Sequence, residues 1–78
     1  LMKEAVEKIV KALVSDEEAV DVRERDSERG VVIEVRIAES DMGKLIGREG
    51  RTIKALRSIV FAASQKHRKR YVLDVIEE

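Results

Sequence analysis

The sequence contains no cysteine, proline or tryptophan, and only one phenylalanine and one tyrosine. Without cysteine the chain forms neither disulfides nor thiolate metal sites, and a cytoplasmic location is the default expectation. The longest apolar run covers residues 59–63, so we expect neither membrane insertion nor a signal peptide. The scarcity of aromatic side chains also argues against modules that stack bases on aromatic platforms, such as RRM domains and OB-folds.

Groups that could carry out catalysis are equally scarce. The single histidine, His67, lies in a basic segment and is interpreted as a solvent-exposed loop residue. The acidic residues 16–18 are interpreted as a solvated turn between a helix and a strand. Because no nucleophile and no metal-ligand spacing is recognisable, we expect no enzyme, no metal, no cofactor and no small-molecule substrate.

The composition that remains is typical of one small folded domain. Of the 78 residues, 44% are apolar and 41% are charged, which distinguishes the chain from a disordered one. This length is near the lower limit for a self-sufficient core. We take Met2 as the native start and Leu1 as a remnant of cloning, so the expected domain runs over residues 2–78.

The formal net charge of zero conceals an uneven distribution along the chain. Residues 1–42 carry 7 Lys and Arg against 12 Asp and Glu, whereas residues 43–70 carry 9 against 1. A basic segment of this kind favours an anionic partner. Charge alone is equally compatible with a solvated face whose side chains pair with the acidic part of the same domain.

Hydrophobic periodicity predicts a helix and a hairpin in the first half of the chain. Apolar residues at helical spacing predict an amphipathic helix over residues 2–14, with Ala5 and Leu13 on its buried face. Residues 20–23 alternate as a short half-buried strand, and residues 26–30 have turn chemistry. Residues 31–37 alternate most clearly and predict a second, antiparallel strand.

The second half is predicted to contain two helices and a strand. Ser40 and Asp41 are good helix-start residues, and the helix they begin covers residues 42–46 because a glycine follows. A longer helix runs from residue 50 or 51 to about residue 65. Its predicted buried stripe consists of Ile53, Leu56, Ile59, Val60 and Ala63. Residues 66–70 form a basic loop, and residues 71–76 form a β-branched-rich strand.

The resulting order, αββααβ, predicts a two-layer α+β fold. The last two strands are separated by two helices, and such a long crossover allows them to lie parallel. A three-stranded mixed sheet covered on one face by three helices would bury all the apolar stripes.

The stretch LIGREGRTI, residues 45–53, places two of the four glycines between the two predicted helices. Gly47 is explained as a helix stop, but a stop does not account for Gly50 or for the surrounding basic residues. A tight turn without Cβ atoms lets another backbone approach closely, and the helix that follows presents free N–H groups to it. Arg48 lies in the loop, and Lys44, Arg51 and Lys54 flank it. This combination suits a phosphate backbone.

The pattern I-G-x-x-G-x-x-I between two helices resembles the hallmark of the KH domain, and it matches here at Ile46, Gly47, Gly50 and Ile53. The element order resembles the bacterial, type II arrangement over the whole chain. The stand-alone length and the stretches MKEAVEKIVKALV and IAESDMGKLIGREGRTIKALRSIV resemble the small bacterial KhpA family of RNA-binding proteins, also called YlqC-like.

The resemblance implies that the GxxG loop holds the backbone of about four nucleotides of single-stranded RNA or DNA beside an aliphatic groove. Carried over by position, the GxxG loop is flanked by residues of the two helices that it connects. The end of the second strand lines the floor and rim of the groove, and the basic loop over residues 66–70 corresponds to the variable loop, which borders the opposite side. The implied RNA-binding residues are Gly47, Arg48, Glu49, Gly50, Lys44, Ile46, Arg51, Ile53, Lys54, Arg36, Ile37, Lys66 and Arg68. Because Glu49 cancels the charge of Arg48, we expect weak binding with little sequence preference.

Phe61 falls roughly opposite the buried stripe of its helix, on a charged face. A single exposed aromatic residue can be incidental. The alternative is a dimer contact made by Phe61, Arg57 and Ser58, which the resemblance supports because the family is associated with homodimers and with a second KH protein, KhpB (Jag).

The expected function is therefore RNA binding, as an RNA chaperone or post-transcriptional regulator. The resemblance further implies a homodimer or a complex with KhpB, and a link to cell-envelope and cell-length control. The alternative is a dimerisation or interaction module with only weak nucleic-acid binding.

Overall fold

A computed structural model describes residues 1–76 of the chain. It contains α1 (Met2–Leu13), β1 (Asp21–Ser27), β2 (Gly30–Arg36), α2 (Met42–Ile46), α3 (Arg51–His67) and β3 (Tyr71–Val75). Single 3-10 turns cover residues 17–19, 39–41 and 48–50. The order αββααβ and the α+β class are confirmed. The expected end of the domain at residues 77–78 lies outside the described residues.

The three strands form one mixed sheet in the order β1-β2-β3. β1 pairs antiparallel with β2, from Asp21 opposite Arg36 to Ser27 opposite Gly30. β2 pairs parallel with β3, from Val31 opposite Tyr71 to Val35 opposite Val75. The predicted parallel pairing is therefore confirmed, and β3 is left as an edge strand.

One hydrophobic core lies between the sheet and the three helices. Alternate residues of β2 point into it, and they meet apolar stripes of all three helices. The fully enclosed side chains include Ile33 and Leu45, each of which contributes about 1.5–3 kcal/mol by burial. The buried core consists of Met2, Val6, Val10, Val14, Val22, Val31, Ile33, Val35, Leu45, Ile53, Leu56, Val60 and Leu73.

The hairpin is tighter than the sequence predicted. β1 continues through Asp26 and Ser27, which were expected in the turn, so only Glu28 and Arg29 connect the strands. Pairing with β2 outweighs the low strand propensity of Asp and Ser. Ser27 then stabilises the turn, because its hydroxyl donates to the Gly30 carbonyl at 3.0 Å and accepts from the Arg29 amide at 3.1 Å.

Some predicted core positions are exposed. Ile59, placed in the buried stripe of α3, is 54% exposed because it lies to one side of the line through Leu56 and Val60. Ser64 is buried on that line instead, and its hydroxyl donates to the Phe61 carbonyl at 2.7 Å. Ala5 and Leu13 are likewise exposed, at the margin and in the last turn of α1.

The basic loop before β3 is shorter than predicted, because α3 continues through Lys66 and His67. Arg68 ends the helix in the left-handed region, at φ 56°, and its amide donates to the Gln65 carbonyl. The loop therefore consists of residues 68–70. Within residues 1–76, no helix has the length and hydropathy needed to cross a membrane, and no group of His, Cys, Asp and Glu side chains could hold a metal ion.

Candidate nucleic-acid interface

The loop at residues 47–50, which we call the GxxG loop, connects α2 to α3 through three residues of positive φ. Gly47 has φ 77° and ψ 171°, Glu49 has φ 56°, and Gly50 has φ 74°. The turn is closed by the Gly50 amide, which donates to the Gly47 carbonyl at 3.1 Å. The Arg51 amide donates to the Arg48 carbonyl, so α3 begins directly from the turn.

The two glycines of the loop are required for different reasons. A Cβ on Gly47 would lie 2.8 Å from the Cβ and 2.9 Å from the amide nitrogen of Thr52, so the first turn of α3 occupies that space. A Cβ on Gly50 would meet only Lys54 Cε at 3.8 Å and Ile53 Cγ2 at 4.0 Å. Gly47 thus permits close packing inside the protein, whereas Gly50 permits the left-handed turn and leaves its outer surface accessible.

Three basic residues surround the loop on its solvent side, and one of them is paired. Arg48, Arg51 and Lys54 are all exposed. The Arg51 guanidinium lies 3.1 Å from the Glu49 carboxylate, an ion pair in which both side chains are solvated. Within residues 1–76, Arg48 and Lys54 have no carboxylate within ion-pair distance. The unpaired positive charge beside the loop is therefore that of Arg48 and Lys54.

The aliphatic residues of the motif hold the loop to the core. Ile53 is buried, and Ile46 is partly buried and packs against the same cluster. Both were predicted to contact the nucleic acid. The structure places most of their surface against the protein, where they fix the ends of α2 and α3 on either side of the GxxG loop.

Asp41 connects the start of α2 to the segment after α1. It immediately precedes α2, as the sequence predicted for a helix-start residue, but its side chain is only 2% exposed and makes no cap bond to the helix. The carboxylate accepts instead from the amides of Ser15 at 3.1 Å and Asp16 at 2.9 Å. These two backbone hydrogen bonds, from Asp16 and Ser15, are the main reason that the pKa of Asp41 is lowered, and the nearby Lys44 charge lowers it further.

Lys44 completes this connection. Its ammonium lies 3.6 Å from the Asp41 carboxylate and donates a hydrogen bond to the Ser15 hydroxyl. Sequence reasoning could not find the arrangement, because Ser15 and Asp41 are 26 residues apart and the residues next to them form no motif that links the two positions.

A groove of about 760 Å³ lies between the C-terminal half of α3 and β3. Phe61 and Tyr71 contribute apolar surface to it, and the cations of Arg57 and of residues 68–70 contribute positive charge. The Arg57 guanidinium donates to the Leu73 carbonyl from two nitrogens, each at 3.4 Å. Residues 69–70 belong to the basic loop that the resemblance places at the border of the site. Tyr71 was not predicted as a site residue, because the periodicity that places it in a strand carries no signal for this groove.

The predicted site residues are brought together only in part. Lys44 and Ile46 lie on α2, and Arg51, Ile53 and Lys54 lie in the first turn of α3, so all five belong to the two helices that flank the GxxG loop. Arg36 and Ile37 line a separate cavity of about 490 Å³ with Met42 and Ile76, at the ends of β2 and β3. Lys66 and Arg68 lie before the start of β3, at the opposite end of that strand.

The predicted dimer contacts on α3 differ in accessibility. Phe61 is 63% exposed. Arg57 is hydrogen-bonded to Leu73, and the Ser58 hydroxyl donates to the Lys54 carbonyl at 3.0 Å. Phe61 is therefore the one of the three whose side chain has no internal hydrogen-bonding role and presents a large apolar surface to solvent.

Comparison with known proteins agrees with this geometry. The family described as KhpA/KhpB, KH domain, matches residues 3–75. The chain is 47% identical to the RNA-binding protein KhpA of Halalkalibacterium halodurans, over 97% of this chain and 100% of that protein. It is 43% identical to the RNA-binding protein KhpA of Caldanaerobacter subterraneus subsp. tengcongensis, over 96% and 100% of the two chains.

A further relative, the RNA-binding protein KhpA of Aquifex aeolicus, is 42% identical over 97% of this chain and 96% of its own length. No solved structure matches the chain. The family match and these full-length similarities, together with the αββααβ fold and its GxxG loop, show that the chain belongs to the KhpA/KhpB family of KH-domain proteins.

Proposed function

We propose that the protein binds single-stranded RNA through the GxxG loop, which would hold the sugar-phosphate backbone of about four nucleotides. The observation that carries the proposal is the loop itself. Its outer surface at Gly50 lacks a Cβ and is accessible, and beside it lie Arg48 and Lys54, which have no ion-pair partner among residues 1–76. The names of the relatives, which are RNA-binding proteins, support the choice of RNA.

The electrostatics of the loop favour weak binding with little sequence preference. Glu49 places a negative charge inside the loop and engages Arg51 at 3.1 Å. Phosphate contacts of Arg48 and Lys54 position a strand without reading its bases. The groove between α3 and β3 carries further cations, at Arg57 and at residues 68–70.

The working role that we propose is that of a cytoplasmic RNA chaperone or post-transcriptional regulator. The family resemblance supports a homodimer or a complex with KhpB (Jag) and a link to cell-envelope and cell-length control. These aspects rest on the resemblance alone.

The test is a double substitution in the loop, Arg48→Asp with Glu49→Asp. Aspartate adopts the left-handed conformation that residue 49 requires, so the fold should be retained. Binding of a fluorescein-labelled single-stranded RNA, measured by anisotropy at several salt concentrations, should be lost. In the unsubstituted protein, affinity should fall as salt rises.

A matched control makes the same change in charge on α1, at residues that line neither the GxxG loop nor the groove between α3 and β3. Lys8→Asp with Glu7→Asp replaces an exposed lysine and its acidic neighbour on this helix. This control should bind RNA as the unsubstituted protein does. If the loop variant retained full affinity, or if both variants lost it equally, the placement of the site would be wrong.

A second candidate function is an interaction module that acts mainly through protein contacts. The observation that favours it is Phe61, a large side chain that is 63% exposed on α3. Binding to RNA that did not respond to salt, together with a stable dimer, would favour this alternative over the GxxG loop as the working site.

A further inference from the structure

Two lysines of the GxxG region have different electrostatic surroundings although both lie on helices that border the loop. Lys44, on α2, is 53% exposed, yet its ammonium lies 3.6 Å from the Asp41 carboxylate and donates to the Ser15 hydroxyl. Lys54, on α3, is exposed, and no carboxylate of residues 1–76 lies within ion-pair distance of it.

The Asp41 carboxylate is fixed in place independently of Lys44. It is 2% exposed and accepts from the backbone amides of Ser15 and Asp16 at 3.1 and 2.9 Å. Because its two other partners belong to the backbone, the carboxylate cannot move outward with the lysine. It therefore remains a fixed negative charge next to the Lys44 ammonium.

A lysine that is already neutralised contributes little to phosphate binding. The salt dependence of nucleic-acid binding counts the ions released when protein cations neutralise phosphates. Lys44 would have to leave Asp41 and Ser15 to reach a phosphate, whereas Arg48 and Lys54 would leave no carboxylate of the described residues 1–76. The free energy that Lys44 would gain from a phosphate contact is therefore reduced by the loss of its contacts with Asp41 and Ser15.

We propose that Lys44 is the structural counter-ion of Asp41 and lies outside the set of residues that bind phosphate, which consists of Arg48 and Lys54. In this assignment Asp41 is a positioning residue. It ties the segment after α1 to the start of α2 and withholds one lysine from the nucleic acid. The assignment rests on the proposed RNA binding by the GxxG loop and refines which cations carry it out.

The experiment compares Lys44→Met with Lys54→Met, two exposed helix positions at which methionine has a helix propensity close to that of lysine. Affinity for a short single-stranded RNA is measured as a function of salt. Each lost phosphate contact should lower the slope of log K against log salt by about 0.7. We expect this reduction for Lys54→Met and an unchanged slope for Lys44→Met.

A second pair of variants tests the role of Asp41. Asp41→Asn removes the negative charge and should release Lys44, so the slope should become steeper by about 0.7. The double variant Asp41→Asn with Lys44→Met should return to the slope of the unsubstituted protein. If Asp41→Asn failed to fold, the comparison of the two lysine variants would still decide whether Lys44 contacts phosphate.

Thermal unfolding without RNA provides an independent measurement. Lys44→Met should unfold at a lower temperature than Lys54→Met, because within residues 1–76 Lys44 has side-chain partners and Lys54 has none. Equal unfolding temperatures, or a salt slope that falls as much in Lys44→Met as in Lys54→Met, would overturn the assignment. A protein whose RNA binding did not depend on salt would count against the proposed function, while the unfolding comparison would still decide whether Lys44 is tied to Asp41.

Discussion

The side chain of Thr52 fills the space in which a Cβ on Gly47 would lie. Such a Cβ would come within 2.8 Å of Thr52 Cβ and 2.9 Å of its amide nitrogen. The GxxG loop is therefore packed directly against the first turn of α3 on its inner side. Its shape is set by this contact and by the positive φ angles, before any nucleic acid binds.

Alanine substitutions should separate the steric requirement at Gly47 from the conformational requirement at Gly50. Gly47→Ala combines a steric conflict with an unfavourable conformation and should lower the free energy of unfolding by about 3 kcal/mol. Gly50→Ala should cost about 1 kcal/mol, because only its left-handed conformation is unfavourable. Chemical denaturation of the purified variants measures both values.

Gly43, inside α2, is the matched control for these substitutions. A Cβ there would meet no atom of the described residues within 4 Å, and helical alanine is favoured over glycine by about 0.5–1 kcal/mol. Gly43→Ala should be neutral or stabilising. A Gly47→Ala variant as stable as Gly50→Ala would show that Thr52 moves away at little cost.

Removing the negative charge from the loop should strengthen RNA binding. Glu49→Asn retains a side chain that tolerates φ 56° and frees the Arg51 guanidinium from its partner at 3.1 Å. We expect tighter binding and a salt slope steeper by about 0.7, measured by anisotropy. Glu39→Gln, at an exposed position outside the loop, should change neither. A Glu49→Asn variant with unchanged affinity would show that this carboxylate lies away from the bound phosphates.

The proposed dimer contact can be tested on two exposed apolar residues of the same helix. Phe61→Asp should shift sedimentation toward the monomer and leave the free energy of unfolding of the monomer nearly unchanged, because the side chain is 63% exposed. Ile59→Asp, two residues earlier on a different side of α3, should leave the assembly unchanged. If neither variant altered the sedimentation of a dimeric protein, Phe61 would not be the contact.

The fold was largely predictable because its determinants are local in the sequence. The alternation of Val31, Ile33 and Val35 indicates a strand with one buried face, and Gly47 marks the end of α2. Ile59 shows the limit of this reasoning. A helical wheel ranks it as core, but the width of the buried stripe depends on how α3 lies against the sheet, and Ser64 takes the remaining space.

The site was predictable at the loop and less so around it. The motif itself indicates residues 47–50. The pairing of Asp41 with the amides of Ser15 and Asp16 depends on segments 25 and 26 residues apart. The use of Thr52 to fill the space beside Gly47 depends on how the loop turns. Neither relationship leaves a pattern in the sequence, since each requires the three-dimensional arrangement of several elements.

The stability of the protein should depend on the ionisation of Asp41. Hydrogen bonds from the amides of Asp16 and Ser15 lower its pKa in the folded state, so the ionised carboxylate stabilises the fold. This contribution is complete above the ordinary carboxyl pKa of about 4 and is lost as the pH falls through the lowered value. We therefore expect Asp41→Asn to unfold at a lower temperature than the unsubstituted protein at pH 7, with the difference shrinking below about pH 4. Thermal unfolding followed by circular dichroism between pH 7 and pH 2 measures this difference, and Glu39→Gln controls for the loss of an exposed carboxylate near Asp41. A difference that stayed constant over the whole range would mean that the charge of Asp41 does not stabilise the fold.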